Sequence, residues 1–349
     1  MNTVMNKVNG KVRLALVGAG GITGAHVQGI LAHADKVSCV ALCDISDENL
    51  ALRSAQLGNN PALFQDWQAM LNEFGENIDA VDITLPHHLH APAILDAAAA
   101  GKHIMCEKPM CTTLAEADAI VAAVKSAGVT YMSAHNQLFT PVVQKTKGLI
   151  DAGAIGTLRW LRTQDAFVSG QSSMKGTWRA SVASQGGGEL IDTGYHPSYL
   201  LLYLAGATAA EVRATMSRYH MDIEGEDTAS VQVRFENGVI GEIFTSWAMH
   251  KPYGTHQIHA VGDEGELFGS GSELYYLPRG FSEPAKQTLP TIDSTFTAEI
   301  GHFADCLRSG ERPLHSVEEG RAVLELILRA SESAQGWQAT APKQLAVHS

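Results

Sequence analysis

No stretch of this chain is long and apolar enough to span a membrane, and the opening residues, MNTVMNKVNGKVR, lack the apolar core of a secretory signal. That opening reads as a short loose arm before the first strand, and a cytoplasmic location is expected. Cysteine is scarce. Cys39, Cys43, Cys106, Cys111 and Cys306 are five in number, odd and without framework spacing. Several sit in or beside apolar runs, so buried free thiols in a reducing compartment are expected rather than disulfides. Positive charge is also short: 25 Lys and Arg stand against 37 Asp and Glu, a formal net charge of −12. Without a basic surplus to neutralise phosphates, a nucleic-acid partner is excluded, while a small polar substrate is not. There is no internal repeat and no low-complexity linker. What remains is ample core: 349 residues, 45% hydrophobic and 18% charged, which suits two domains better than one.

The first 135 residues alternate strand and helix. VRLALVG (12–18) is an apolar run ending in glycine, followed by a glycine-rich turn and a helical stretch to about Ala34. VSCVALC (37–43), DAVDITL (79–85), KHIMC (102–106) and VTYMSAH (129–135) read as further strands. Two helices between them stop at Gly101 and Gly128, natural left-handed termini. This order means βαβ units and a parallel sheet. After about residue 140 the pattern changes to alternating segments, among them GTLRWLRTQDAFV, TASVQVRFENGVIGEIFTSWAM and HQIHAVGDEGELFG. The Asn-Gly pair at 237–238 marks a hairpin. Residues 297–337 return to helix. The expected architecture is an α/β Rossmann domain, a doubly wound parallel sheet over residues 1–136. An α+β domain follows over 137–349, with a large open, mainly antiparallel sheet and C-terminal helices that pack back on the first domain.

VGAGGITGAH (17–26) follows a strand and opens a helix. Gly18 permits the tight turn, Gly20 lets a pyrophosphate approach the backbone, and the helix N-terminus supplies N–H groups and a favourable dipole. Thr23 stands at the fingerprint's third position, with Gly24 beside it. Asp44, at the end of the second strand, is placed to accept hydrogen bonds from a ribose diol and to repel a 2′-phosphate. Ile45, Ser46 and Asp47 follow it, with no Arg among them, which favours NAD over NADP.

Two further passages carry chemistry. In HIMCEKPMC (103–111) a strand stops at Glu107, and Lys108 is held between that acid and Pro109. In GGGELIDTGYHPSYLLLYLAG (186–206) three glycines precede Asp192 and His196. Helix through both would put them on one face, but Pro197 is tolerated only in a first turn, so the helix is as well begun near Gly194. Taken alone, the pair reads better as a capping Asp and a satisfied core His.

Together, the Rossmann-type start, the EKP after a strand and the GGGxLxDxGxH pattern resemble the glucose–fructose oxidoreductase / inositol dehydrogenase / MocA family, from about Lys11 to about Thr340. ITLPHHLHAPAILDAAAAGKHIMCEKPM is similar to the family signature almost throughout. The resemblance implies NAD(P)-dependent chemistry on sugars, inositols and related polyols, with Lys108, Asp192 and His196 as the catalytic group and an unusual, often cis, peptide before Pro109. It also implies a second-domain sheet that packs against another subunit, hence a homodimer or homotetramer. To Gly18, Gly20, Gly21, Ile22, Thr23 and Asp44 it adds Thr84, Pro86, His87, His90, Glu107, Lys108 and Asn136 as the cofactor cleft. Trp178, Arg179, Tyr199 and His256 are substrate candidates, with core packing an equal reading for Trp178 and strand packing a better one for His256. Tyr199 stands where the family often has a second Asp, and Asn136-Gln137-Leu138 where it often has NxR.

Oxidising a secondary alcohol sends a hydride to the nicotinamide and a proton to a base whose pKa lies near working pH. His begins at about 6.5 and Lys at about 10.4. His196 is therefore expected to take the proton, with Asp192 orienting it or binding a neighbouring hydroxyl, while Lys108 holds the developing alkoxide. The reverse assignment, with Lys108 as base, stays open. The three histidines of HHLH (87–90) lack a fourth ligand at metal spacing and read as loop packing, so no metal is expected. The favoured function is an NAD-dependent sugar or polyol dehydrogenase. The alternatives are a redox-neutral, NAD-dependent glycoside-cleaving enzyme and a non-catalytic NAD-sensing regulator. Retention of the three catalytic residues argues against the last.

Overall fold

A computed structural model describes residues 7–335. The chain runs β1 (Val12–Val17), α1 (Thr23–Ala32), β2 (Val37–Cys43), α2 (Asp47–Leu57), β3 (Ala62–Phe64), α3 (Trp67–Phe74), β4 (Ala80–Ile83), α4 (His90–Ala99), β5 (His103–Glu107), α5 (Leu114–Ala127) and β6 (Tyr131–Ala134). These six strands form one parallel sheet in the order β3-β2-β1-β4-β5-β6. Five of the six β1 side chains are buried, since helices cover both faces of the sheet. α5 opens with a capping box between Thr113 and Glu116 and stops at Gly128, φ +66°. The strand order reverses between β1 and β4. The cofactor-cleft residues singled out in the first half of the sequence lie around that switch point, at the C-terminal ends of β1, β2, β4, β5 and β6.

α2, β3 and α3 are additions that the apolar pattern does not announce. Both helices carry a serine or aspartate cap, Ser46 and Asp66, but α3 buries a single side chain fully and β3 none.

The second half comprises α6 (Pro141–Asp151), β7 (Leu158–Ala166), α7 (Val182–Gln185), α8 (Tyr195–Ala205), β8 (Ala209–Ser217), β9 (Thr228–Phe235), β10 (Ile240–Ser246), β11 (Ile258–Gly262), β12 (Gly265–Ser270), β13 (Glu273–Pro278), β14 (Ala285–Lys286), α9 (Thr295–Ser309) and α10 (Val317–Gln335). Its eight strands form one mixed sheet, β14-β13-β12-β11-β7-β10-β9-β8, antiparallel except for the β7–β10 pair. The Asn-Gly turn closes the β9–β10 hairpin, with Gly238 at φ +85°.

One face of this sheet packs under helices: Leu161, Thr163, Ile243, Ile258, Ala260 and Leu267 are buried, and Thr163 Oγ1 donates to Pro197 O at 2.7 Å. On the other face Trp160, Arg162, Glu242, Phe244, His259, Glu266, Phe268 and Tyr275 are only half-buried. α9 returns to the first sheet, where Ile300, Phe303, Ala304 and Leu307 join a core with Val12, Leu14, Leu16, Val27 and Ile30. The Val8 amide donates to Leu307 O at 2.9 Å, so this part of the expected loose arm is tied down. Residues 1–6 of that arm and residues 336–337 of the expected last helix lie outside the described residues. All five cysteines are buried and unpaired. No described helix is long and apolar enough to cross a membrane.

Candidate active site

The glycine turn forms one wall. Gly18 has φ +100°, and a Cβ there would lie 2.6 Å from Thr84 O, so only glycine fits. Thr23 is fully buried: its hydroxyl meets Gly18 O at 3.1 Å and Thr84 Oγ1 at 2.8 Å. Thr23 and Thr84 thus hold the turn from beneath rather than face a ligand. Above Gly20 and Gly21 the space is open, with nothing within 4 Å of a built Cβ. α1 has no side-chain cap and no acid in its first turn. Open backbone beside an uncapped helix N-terminus fits a dinucleotide pyrophosphate. Asp44 accepts the amides of Ala19 at 2.6 Å and Ser46 at 2.8 Å, which sets its carboxylate at the rim of the turn. Arg53, invisible to the sequence argument, is buried under the turn and donates to Ala19 O at 3.2 Å and Gly20 O at 2.5 Å. That guanidinium is spent on loop carbonyls.

The floor is the end of β5. The Lys108–Pro109 peptide is cis. His90, fully buried, meets Pro109 O at 2.6 Å and Leu85 O at 2.7 Å and so ties two loops together instead of reaching a cofactor. Glu107 accepts the Lys108 amide at 3.1 Å and lies 3.1 Å from His26 Nε2, whose Nδ1 is 2.8 Å from Asp82. Burial opposes charge on His26, but Asp82 and Glu107 outweigh it and hold the pKa well above its ordinary value. His26, held between Asp82 and Glu107, therefore props the strand that carries Lys108.

Lys108 donates two hydrogen bonds to Asp192, to Oδ1 at 2.7 Å and to the backbone O at 2.8 Å. The other carboxylate oxygen takes Arg179 Nε at 2.8 Å. Burial would raise the Asp192 pKa, but Lys108, His87 and Arg179 hold it well below the usual carboxylate value. The approach of chains here explains a glycine: a Cβ on Gly188 would lie 2.1 Å from Glu226 O. α8 begins at Tyr195 behind Gly194, so Asp192 precedes the helix and Pro197 falls in its first turn. The expectation that Asp192 orients His196 is corrected: both Asp192 oxygens serve Lys108 and Arg179. His196 Nδ1 instead meets the Tyr199 hydroxyl at 2.8 Å. Burial, then the Lys108 charge, lowers the His196 pKa to about 3, and burial lowers that of His87 to about 3 as well.

A cavity of about 220 Å³ lies between these groups. It is lined by Ile22 of the turn, by His87, Glu107, Lys108, Asn136 and His196, and by Trp178 and Arg179; Leu85, Gln137 and Phe296 complete it. Arg179 sits over the Trp178 ring at 4.3 Å, and the His87 ring meets Trp178 edge-on at 4.5 Å. Eight residues singled out in sequence therefore line one cavity: Ile22, His87, Glu107, Lys108, Asn136, Trp178, Arg179 and His196. Tyr199 is fully buried behind His196 and is not a substrate contact. His256 is not in the site either: its ring lies 4.9 Å from Phe268 and lines a separate cavity with Arg162, His259 and Glu266 on the sheet's other face. The HHLH histidines diverge, with His87 in the cavity, His88 exposed and His90 buried. His26, Asp82 and Arg53 were not legible, since a lone His or Arg on an amphipathic helix and an Asp in a strand carry no positional signal.

The comparisons with known proteins agree with this geometry. Residues 12–135 match an oxidoreductase family model described as an NAD-binding Rossmann fold, and residues 143–268 match the GFO/IDH/MocA C-terminal domain. D-apiose dehydrogenase of Paraburkholderia graminis is 30% identical over 90% of this chain and 85% of its own length. scyllo-Inositol 2-dehydrogenase (NAD(+)) of Bacillus subtilis is 27% identical over 93% of this chain and 94% of its own. The solved structure of the aldose-aldose oxidoreductase of Caulobacter crescentus, complexed with glycerol, matches with a TM-score of 0.83 at 25% identity, covering 93% of this chain and 98% of that one.

Proposed function

The chain belongs to the GFO/IDH/MocA oxidoreductase family, with an NAD-binding Rossmann fold in its first half, and from that premise we propose that it is an NAD-dependent dehydrogenase of sugars, inositols or related polyols. Relatives of this family are dehydrogenases of apiose and inositol. The observation that carries the reading is the convergence of Lys108 and His196 on one cavity that Ile22 of the glycine turn also lines. Residues 1–136 are read as the cofactor domain and residues 137–349 as the substrate and oligomerisation domain.

NAD, when bound, supplies the hydride acceptor. The glycine turn and the α1 N-terminus would hold its pyrophosphate, and Asp44 would take the ribose diol and disfavour a 2′-phosphate. The substrate's carbinol oxygen lies between Lys108 Nζ and His196. Asp192 is a positioning residue that aims the lysine by two hydrogen bonds. Arg179, braced by Asp192 and stacked on Trp178, offers its remaining N–H groups to neighbouring hydroxyls. The premise that His196 starts near neutral pKa does not hold in the folded protein, where burial and Lys108 bring it to about 3. It stays neutral at working pH, and a proton taken from substrate would be weakly held.

Two wider statements complete the reading. Buried, unpaired cysteines suit a cytoplasmic protein. The half-covered sheet face, with Trp160, Phe244 and Phe268 around the Arg162–Glu242 and His259–Glu266 pairs, suits contact with a second copy as homodimer or homotetramer. The test is a panel of sugars, inositols and chromogenic glycosides with purified protein and NAD. NADH formation on at least one polyol or sugar is expected. Aglycone release without NADH, or no turnover on any member, would overturn the reading.

A further inference from the structure

His196 enters the cavity with one ring nitrogen and meets a single partner with the other. Its Nδ1 lies 2.8 Å from the Tyr199 hydroxyl. That hydroxyl is buried and also lies 3.0 Å from the backbone nitrogen of Gln137. The His135 ring is stacked on the tyrosine face at 4.3 Å and offers the hydroxyl no acceptor. Among the described residues these two nitrogens are its hydrogen-bond partners.

A phenol has one proton to give, whereas a backbone N–H can only donate. The Gln137 amide therefore takes a lone pair of the Tyr199 oxygen. If His196 carried its proton on Nδ1, that N–H would donate to the same oxygen and leave the phenol's proton buried without an acceptor. If Nδ1 is bare, Tyr199 donates to it and all three groups are satisfied. Leaving a buried donor unmade is the costlier arrangement. A carboxylate at position 199 would act oppositely, since it only accepts and would draw the proton onto Nδ1.

We infer that Tyr199 fixes His196 as the Nε2–H tautomer, so that the imidazole is a hydrogen-bond donor to the reacting oxygen and Lys108 carries the proton. The inference rests on reading this cavity as the dehydrogenase site. Two of the lysine's hydrogens go to Asp192 Oδ1 and O, which leaves one position on Nζ to alternate between a lone pair and N–H. In oxidation the substrate O–H bond breaks and its proton bonds to the Nζ lone pair. The carbinol C–H bond breaks with its electron pair passing to the nicotinamide, and C=O forms. His196 Nε2–H holds the same oxygen throughout and transfers nothing. In reduction the ammonium returns the proton. Tyr199 touches no substrate and is a positioning residue.

The experiment is 15N NMR of the full chain with NAD bound, labelled at histidine, with His196 assigned by the signal lost in His196→Gln. A bare Nδ1 and a protonated Nε2 are expected. Tyr199→Phe keeps the ring stacked on His135 and removes only the hydroxyl. In it the two tautomers should mix, and kcat should fall about tenfold or more, with NAD affinity unchanged. His196→Gln, which retains an N–H donor, should keep more activity than His196→Ala and should keep the acidic limb of the oxidation profile. A protonated Nδ1 in the wild type overturns the inference, whether or not the variants fold. So does wild-type turnover in Tyr199→Phe when Lys108→Met is inactive, an outcome that leaves the dehydrogenase reading standing. If Lys108→Met also turns over at the wild-type rate, the reading of the cavity itself falls.

Discussion

Lys108→Met keeps the side chain's length and removes only the ammonium. In the folded protein that group makes two hydrogen bonds to Asp192, which is 5% exposed. Breaking a buried pair by removing one partner costs about 3–5 kcal/mol, because the other charge is stranded. Here Arg179 stays 2.8 Å from the second carboxylate oxygen, so Asp192 remains paired. The stability loss should therefore fall at the low end or below, at about 2–3 kcal/mol. Turnover should suffer more: losing one preorganised group at the reacting oxygen costs about 10²–10³ in kcat. NAD affinity should hold, since the glycine turn and Asp44 lie apart from the lysine. A second signature follows at His196, whose pKa is held near 3 by burial and next by Lys108. Without the cation it should rise. The assay is kcat and KM for oxidation at saturating NAD, with NAD titrated by fluorescence and stability by urea. A folded Lys108→Met that turns over at the wild-type rate would refute a catalytic role for the EKP lysine. A variant that loses NAD affinity in proportion to turnover would show that the lysine serves the cofactor instead.

Other consequences are as direct. NAD should bind in preference to NADP, and Asp44→Ser should narrow that preference; equal wild-type affinities in a titration would sink the argument. Three buried histidines should draw stability down as pH drops from about 6.5 to 5. His87 and His196, held near pKa 3, and His315, near 4, stay neutral in the folded state while the unfolded chain protonates, which costs about 2 kcal/mol per histidine at pH 5. His26 does not offset this: its folded pKa is raised, so its contribution is already complete below about 6.5 and is lost only as pH rises through the folded value. Burial raises Glu189 and Glu299 instead, which adds stability as pH falls, so the histidine contribution is read as the shallower loss of urea midpoint between pH 7 and 5 in His87→Gln, and an unchanged slope there would contradict it. Finally, Phe268→Glu on the half-covered sheet face should lower the mass seen by light scattering, and a wild-type monomer at micromolar concentration would count against association through that face.

Much of the framework is determined locally and is legible in one dimension. Apolar run length, glycine stops at 101 and 128, the Asn-Gly hairpin and the strand–turn–helix around Gly18 all depend on short-range sterics and hydrogen bonding, and the structure agrees with each. Pattern reading fails where burial is slight, as in β3 and α3, and where exposure varies by strand face. His256 and Gln257 are adjacent, yet the ring of one lies against Phe268 while the side chain of the other donates to Gln137 at the cavity.

Pairing within the site was decided only by the tertiary fold. Asp192 and His196 stand four apart and read as a couple, but α8 begins between them, and each turns to a different partner. Asp192 reaches Lys108, 84 residues away, and His196 reaches Tyr199. His26 finds Asp82 and Glu107 at separations of 56 and 81 residues. The residue types needed for hydride and proton transfer are written in the sequence. Which group holds which proton is not, because it depends on the burial and charge that neighbours distant in the chain bring to each side chain.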